Sequence, residues 1–233
     1  MAKTLIFGTL YLYDQAMTDI VKLWIKRVSS FNRDWLLVDS CSPEHLMAQL
    51  DFSRGKLSGF HDNIGHLSGG GRDGWGRAFC FALEYAIEKG YENVIHIESD
   101  LLVAKEEFLE EIQKFEGQDK TQSQSPINHN IQQVFVNGKF EFPKEKINAV
   151  ETGLMMFKTK WLEKISFMKQ YAWQIKTRFP RPEERIKDIC GVDHNVFFDK
   201  RGDRLEGKTE YKDFDYITHT NYETMLRFYE ETK

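Results

Sequence analysis

The sequence predicts an α/β domain with a mostly parallel central sheet flanked by helices, on three observations. The first hundred residues alternate apolar, β-branched runs with amphipathic helical patterns, as a doubly wound parallel sheet does. Two of those apolar runs end in carboxylates, Asp39 and the pair Glu98 and Asp100, at the strand ends where such sheets collect their ligands. The 233 residues suit one domain of this class, and no solenoid-length repeat or shift of composition divides them.

Each element follows from its residues. Thr4 to Tyr13 (TLIFGTLYLY) is β-branched and aromatic and reads as the first strand; Met17 to Phe31 places Ile20, Leu23, Trp24 and Val28 at helical steps. Asp34 to Asp39 (DWLLVD) is a short apolar run before Ser-Cys-Ser-Pro, the pattern of a buried parallel strand. Gly59 to Leu67 is a weaker strand, followed by Gly69-Gly70-Gly71, read as a loop, and by a helix from Trp75 to Lys89 that Gly90 closes. The apolar face of that helix carries Phe79, Cys80, Leu83, Ala86 and Ile87, where Cys80 is a small core residue. Asn93 to Val103 (NVIHIESDLLV) runs from an apolar strand through two acids into a further apolar stretch, ahead of an acidic helix from Lys105 to Phe115. His96 belongs in the core or in a layer behind the acids.

Gln118 to Asn130 is polar and reads as a surface loop. Beyond it the pattern predicts a hairpin from Gln132 to Phe142 turning at Asn137-Gly138, and a strand from Ala149 to Phe157 containing Gly153. Helices over Trp161 to Thr177 and Pro182 to Phe198, and a strand edge from Tyr216 to His219, complete the outline.

Composition narrows the class of function. With 41% hydrophobic and 29% charged residues and only 5 Pro, the chain is globular rather than disordered or collagen-like. Thirty-six acidic against 32 basic residues give a net charge of −4, so no global basic field attracts nucleic acid. Cys41, Cys80 and Cys190 are odd in number and far apart, which argues against a disulfide framework or a thiolate zinc site and for a reducing compartment. The N-terminus lacks the pattern of a signal peptide and no window resembles a membrane span, so a cytoplasmic location is expected, with peripheral membrane association left open.

Glu98-Ser99-Asp100 is the sharpest chemical feature. Two carboxylates separated by one residue project to the same side of an extended chain. That arrangement suits a hard divalent cation such as Mn²⁺ or Mg²⁺, held by one or two carboxylates together with substrate phosphates. The plainer alternative is a salt-bridged Glu98 and an Asp100 that caps the following helix.

The segment VIHIESDLLV resembles the acid-x-acid segment of GT-A glycosyltransferases, which use nucleotide-sugar donors. The likeness extends back through GGGRDGWGRAFCFALEYAIEKGYENVIHIESD to about residue 3 and is looser beyond residue 103. It implies a GT-A-like, Rossmann-related domain over residues 1–233, with a nucleotide-sugar half at about 1–103 and an acceptor half at about 131–233. Phe7, Gly8, Thr9, Leu10 and Tyr11 would form the floor of the nucleotide pocket, with Asp39 near the base or ribose. Tyr11 as a core aromatic and Asp39 as a turn cap are the alternatives. Arg72 and Asp73 would meet the diphosphate or the sugar hydroxyls, and Ser99 would lie at the donor; Arg77, one turn from Asp73, can pair with it. The family carries Asp where this sequence has Glu98, so Asp100 is the metal ligand the resemblance implies most directly. His219 would complete the metal site; otherwise it is a structural histidine.

Asp193, in ICGVDHNVFF, resembles the base that removes the acceptor proton in inverting members, and Glu151 is the second candidate. Helix capping is the alternative for Asp193. The expected function is therefore metal-dependent, inverting transfer of a sugar from a nucleotide-diphosphate sugar to a glycan or other hydroxyl acceptor, as in polysaccharide synthesis. Two other readings compete. A sugar nucleotidylyltransferase usually carries Arg and Lys after the first strand, where this sequence reads Gly8 to Asp14 with neither. A non-catalytic glycan- or nucleotide-binding module would keep the fold and its 18 Phe, 9 Tyr and 5 Trp for stacking on sugars.

Overall fold

The computed structural model describes residues 3–64, 72–113, 122–123, 126–127, 134–136, 139–141, 149–150, 152–177, 182–190, 201–203, 210–211 and 214–233. In chain order the elements are β1 (Thr4–Leu10), α1 (Gln15–Ser30), β2 (Asp34–Asp39), α2 (Glu44–Met47), β3 (Lys56–Gly59), α3 (Arg72–Glu88), β4 (Asn93–Ile97), β5 (Leu101–Val103) and α4 (Glu106–Gln113). There follow β6 (Gln122–Ser123), β7 (Pro126–Ile127), β8 (Val134–Val136), β9 (Lys139–Glu141), β10 (Ala149–Val150), β11 (Leu154–Lys158), α5 (Thr159–Lys164), α6 (Phe167–Thr177), α7 (Pro182–Cys190), β12 (Arg201–Asp203), β13 (Tyr216–Thr218) and α8 (Tyr222–Glu231).

Six strands form the central sheet in the order β3-β2-β1-β4-β11-β6. The first four are parallel, β11 is antiparallel to β4, and β6 is antiparallel to β11, so β11 alone is reversed. Strand parity sorts the core into two layers. Ile6, Leu37, Ile95, Ile97 and Met156 pack with Trp24 and Val28 of α1, Phe108 of α4 and Phe228 of α8. Leu5, Phe7, Leu36, Val94 and Phe157 pack with Phe79 and Leu83 of α3, Phe167 and Tyr171 of α6 and Ile186 of α7. Within each strand alternate residues face opposite ways, so both faces of an apolar parallel strand are covered by helices.

Local chemistry sets the helix ends. The Asp14 carboxylate accepts from the Met17 N–H at 2.8 Å and starts α1 two residues before the patterned run. Gly90, at φ 69°, ends α3: its N–H reaches the Ile87 carbonyl at 3.1 Å and the Tyr91 N–H reaches Ala86 at 3.0 Å. This paired closure needs a left-handed residue and so favours glycine.

Several boundaries differ from expectation. β1 stops at Leu10, whose carbonyl accepts from the Ser40 N–H in the last bond of the ladder to β2. The weak strand is realised as Lys56–Gly59, upstream of the expected span. Residues 149–157 divide into β10 and β11 in different sheets, and 161–177 divides into α5 and α6 at Ser166, whose φ is 52°. The polar stretch 118–130 contains β6 and β7, while β8 and β9 pair as the expected hairpin with Val136 opposite Lys139. α7 runs to Cys190, and residues 191–198 lie outside the described ones. Among the described residues, no helix is long and apolar enough to cross a membrane.

Candidate functional site

The carboxyl ends of β1, β2 and β4 share one edge of the sheet. At the end of β4 the ladder to β11 extends by one bond, from the Glu98 N–H to the Gly153 carbonyl at 2.7 Å. The chain then turns back on itself, the Leu101 N–H donating to the Glu98 carbonyl at 2.9 Å. Glu98, Ser99, Asp100 and Leu101 are therefore a β-turn, where the sequence suggested an extended segment. Ser99 is buried inside the turn, and Glu98 and Asp100 are half-buried.

The turn also moves the chain from one sheet to another. β5 leaves it to join a three-stranded sheet in the order β12-β13-β5, with Thr218 opposite Leu101. One residue further along this antiparallel pair lie His219 and Asp100. The result is a cluster in which one ligand atom each from Glu98, Asp100 and His219 lie within 4.8 Å of one another. Atoms on opposite sides of an octahedral Mg²⁺ stand about 4 Å apart, twice the metal–oxygen distance, so this donor set has the spacing and the oxygen-rich character of a divalent-cation site. His219 has φ 51°, a left-handed conformation that costs a side chain roughly 1–2 kcal/mol. Cys41 and Ser166 share this left-handed backbone.

The neighbouring strand ends are tied to one another. The Asp39 carboxylate accepts from the Ser42 N–H at 3.1 and 3.0 Å and from the Ser42 hydroxyl, while the Ser42 Oγ accepts from the Leu12 N–H at 2.7 Å. Asp39 thus caps the turn after β2 and joins it to the loop after β1. The Ser40 hydroxyl reaches the Gly74 carbonyl at 3.4 Å, bringing the first turn of α3 to the same edge. Arg72 and Asp73 open α3, and their side chains lie outside the described ones.

Of the β1 residues, Phe7 and Gly8 are submerged. Phe7 packs on Phe79 and His96, and a Cβ on Gly8 would stand 3.0 Å from the Ile97 carbonyl oxygen. Thr9 is nearly buried and Tyr11 half-buried, with Tyr13, 68% exposed, just beyond. Arg77 pairs with Asp62 at 2.9 Å and lies over the Phe60 ring. Asp193 and Glu151 lie outside the described residues.

Sequence reasoning placed His96 in the core or in a layer behind the acids but did not find its partner. The ring is fully buried among Phe7, Trp75 and Phe79, and its Nδ1 is 2.6 Å from the Thr152 carbonyl oxygen. Burial pushes its pKa down to about 3, so the ring is neutral, and a carbonyl partner requires Nδ1 to carry the proton. The only hint in the sequence is that residue 96 shares strand parity with Glu98.

No protein-family model matches this sequence, and no curated protein matches it. Solved structures do. The apo bifunctional glycosyltransferase WbbM superposes with TM-score 0.61 at 10% identity, over 99% of this chain and 50% of that one, so this chain spans half of its length. An active-site mutant of LgtC superposes with TM-score 0.60 at 11% identity, over 97% of this chain and 94% of LgtC. The 4-diphosphocytidyl-2C-methyl-D-erythritol synthase from Anaerococcus prevotii superposes with TM-score 0.54 at 12% identity, over 98% of this chain and 95% of that one. At these identities the likeness is one of fold: the chain has the GT-A fold of glycosyltransferases.

Proposed function

We propose that this GT-A-fold chain is a metal-dependent glycosyltransferase that moves a sugar from a nucleotide-diphosphate sugar to a glycan or other hydroxyl acceptor. The observation that carries the proposal is the convergence of Glu98, Asp100 and His219 at the carboxyl edge of the sheet. LgtC, a galactosyltransferase, is known in complex with donor and acceptor sugar analogs, which supports a donor and a sugar acceptor here. Asp100, Glu98 and His219 would hold Mn²⁺ or Mg²⁺, whose charge would stabilise a departing diphosphate.

The other roles belong to the chain's own residues. Phe7, Gly8 and Thr9 form the packed layer that supports the donor, Tyr11 and Asp39 lie toward its base and ribose, and Ser99 holds the turn between the two acids. Arg72 has the planar fork that suits a diphosphate, and Asp73 accepts from sugar hydroxyls. Asp193 is assigned as the base that takes the acceptor's proton, with inversion in a single displacement, and Glu151 is the second candidate.

The test is donor turnover and transfer across a panel of nucleotide-diphosphate sugars, with Mn²⁺, with Mg²⁺ or with chelator. One donor should be consumed only with metal, and Asp100→Ala should lower its turnover at least ~100-fold while circular dichroism stays unchanged. The fold likeness to the A. prevotii synthase supports a second reading, nucleotidyl transfer. Release of pyrophosphate from a nucleoside triphosphate and a sugar phosphate, with no sugar transfer, would establish it. A chain that binds a donor but turns over nothing would be a binding module.

A further inference from the structure

We propose that His96 is a positioning residue, whose ring N–H clamps the Thr152–Gly153 crossing against the Glu98–Asp100 turn and so keeps Glu98 within reach of Asp100 and His219. The inference rests on the metal-site reading above and names a residue which that reading leaves out.

The argument begins with what the imidazole is doing in an apolar layer. Its neighbours at 4.8, 5.2 and 5.6 Å between ring centroids are Phe7, Phe79 and Trp75. A phenyl ring would fill that space with no polar atom to desolvate. The imidazole instead leaves Nε2 buried and without a hydrogen-bond partner among the described residues. An orphaned buried nitrogen is unfavourable, so the compensating contact must lie at the other nitrogen. That contact is the bond from Nδ1–H to the Thr152 carbonyl.

Thr152 and Gly153 lie where the chain crosses from β10, in a two-stranded sheet, to β11, in the central sheet. The two successive carbonyls of this crossing are bound from the metal-bearing strand, Thr152 by the His96 side chain and Gly153 by the Glu98 backbone. Glu98 therefore takes its backbone position from the crossing, and the crossing takes its position from His96. Outer partners of this kind fix the orientation of metal ligands, and their loss commonly lowers metal affinity about 10–100-fold.

Two substitutions separate this role from packing. His96→Phe fills the aromatic nest but has no donor. His96→Asn puts an N–H₂ at the δ position of the lost nitrogen but leaves a void. Mn²⁺ binding to the full chain is measured by electron paramagnetic resonance, with Mg²⁺ competition, alongside the melting temperature of the metal-free protein. The expected result is a crossover: His96→Phe is the more stable variant and binds Mn²⁺ at least ~10-fold more weakly than wild type, while His96→Asn melts lower and binds close to wild type. Affinity that follows melting temperature, or a His96→Phe variant that binds as wild type does, overturns the inference and leaves the metal site standing. A wild-type protein that binds neither cation overturns both.

Discussion

Gly8 shows how tightly the layer beneath the candidate site is built. A Cβ there would stand 3.0 Å from the Ile97 carbonyl oxygen and from Leu37 Cδ2, and 3.1 Å from Trp24 Cζ2. The first of these is backbone of β4, the strand that leads into the Glu98–Asp100 turn, and cannot swing aside. Gly8→Ala should therefore cost about 1–3 kcal/mol, read as a lower midpoint in urea, the range for inserting one carbon into a packed core. An unchanged midpoint would mean that β1 and β4 can part without penalty. The placement of the two acids at a strand end was legible at this scale, since Glu98 and Asp100 follow directly on the apolar run of β4. The turn that joins them was not, because an extended chain and a β-turn both bring residues two apart to one side. The His96 bond was also out of reach, since its acceptor, the Thr152 carbonyl, is 56 positions away and backbone oxygens leave no mark in a sequence.

Among the elements, α8 was overlooked although its signals are present. Asn221 accepts from the Thr224 N–H at 2.9 Å as an N-cap, and Met225 and Phe228 repeat at helical spacing on the buried side. Beside this apolar packing, Arg27 of α1 ties the C-terminal end of the helix to the body. The buried guanidinium donates to the carbonyls of Ala104 at 2.7 Å, Tyr229 at 3.1 Å and Thr232 at 3.1 Å, and to the Thr232 hydroxyl at 2.7 Å. Tyr229 lies in the last turn of α8 and Thr232 is its C-cap, where helix oxygens lack internal partners and a cation is favoured. Burial lowers the Arg27 pKa, and the four acceptors offset that desolvation. Arg27→Ala should destabilise the protein by on the order of 3 kcal/mol and raise protease sensitivity at the C-terminus; Arg27→Lys should not restore it, lacking the planar fork. The split between α5 and α6 has a simpler origin. Apolar periodicity continues through Ile165 and Phe167, and only the left-handed backbone of Ser166 interrupts it.

Over the whole molecule, alternation of strands and helices made the parallel half of the sheet legible, whereas strand order was not. β5 follows β4 after three residues yet belongs to another sheet, paired with β13 more than a hundred positions later. That pairing brings His219 from the C-terminal part of the chain to acids in its first half, so a cation at this cluster would bind the folded chain and not the unfolded one. Binding restricted to the folded state stabilises by RT ln(1 + [L]/Kd), about 2.7 kcal/mol at a hundredfold excess over Kd. For a chain of this length that corresponds to a rise of about 5–10 °C in melting temperature. Mn²⁺ should raise the melting temperature of the wild-type protein by that amount, and chelator should reverse the rise. His219→Ala should shrink the shift and Asp100→Ala should remove it, while the metal-free melting temperature of His219→Ala stays close to wild type because its side chain is exposed. A shift that survives both substitutions would place the cation elsewhere on the molecule, and the β5–β13 pairing would then serve only to close the core over α8.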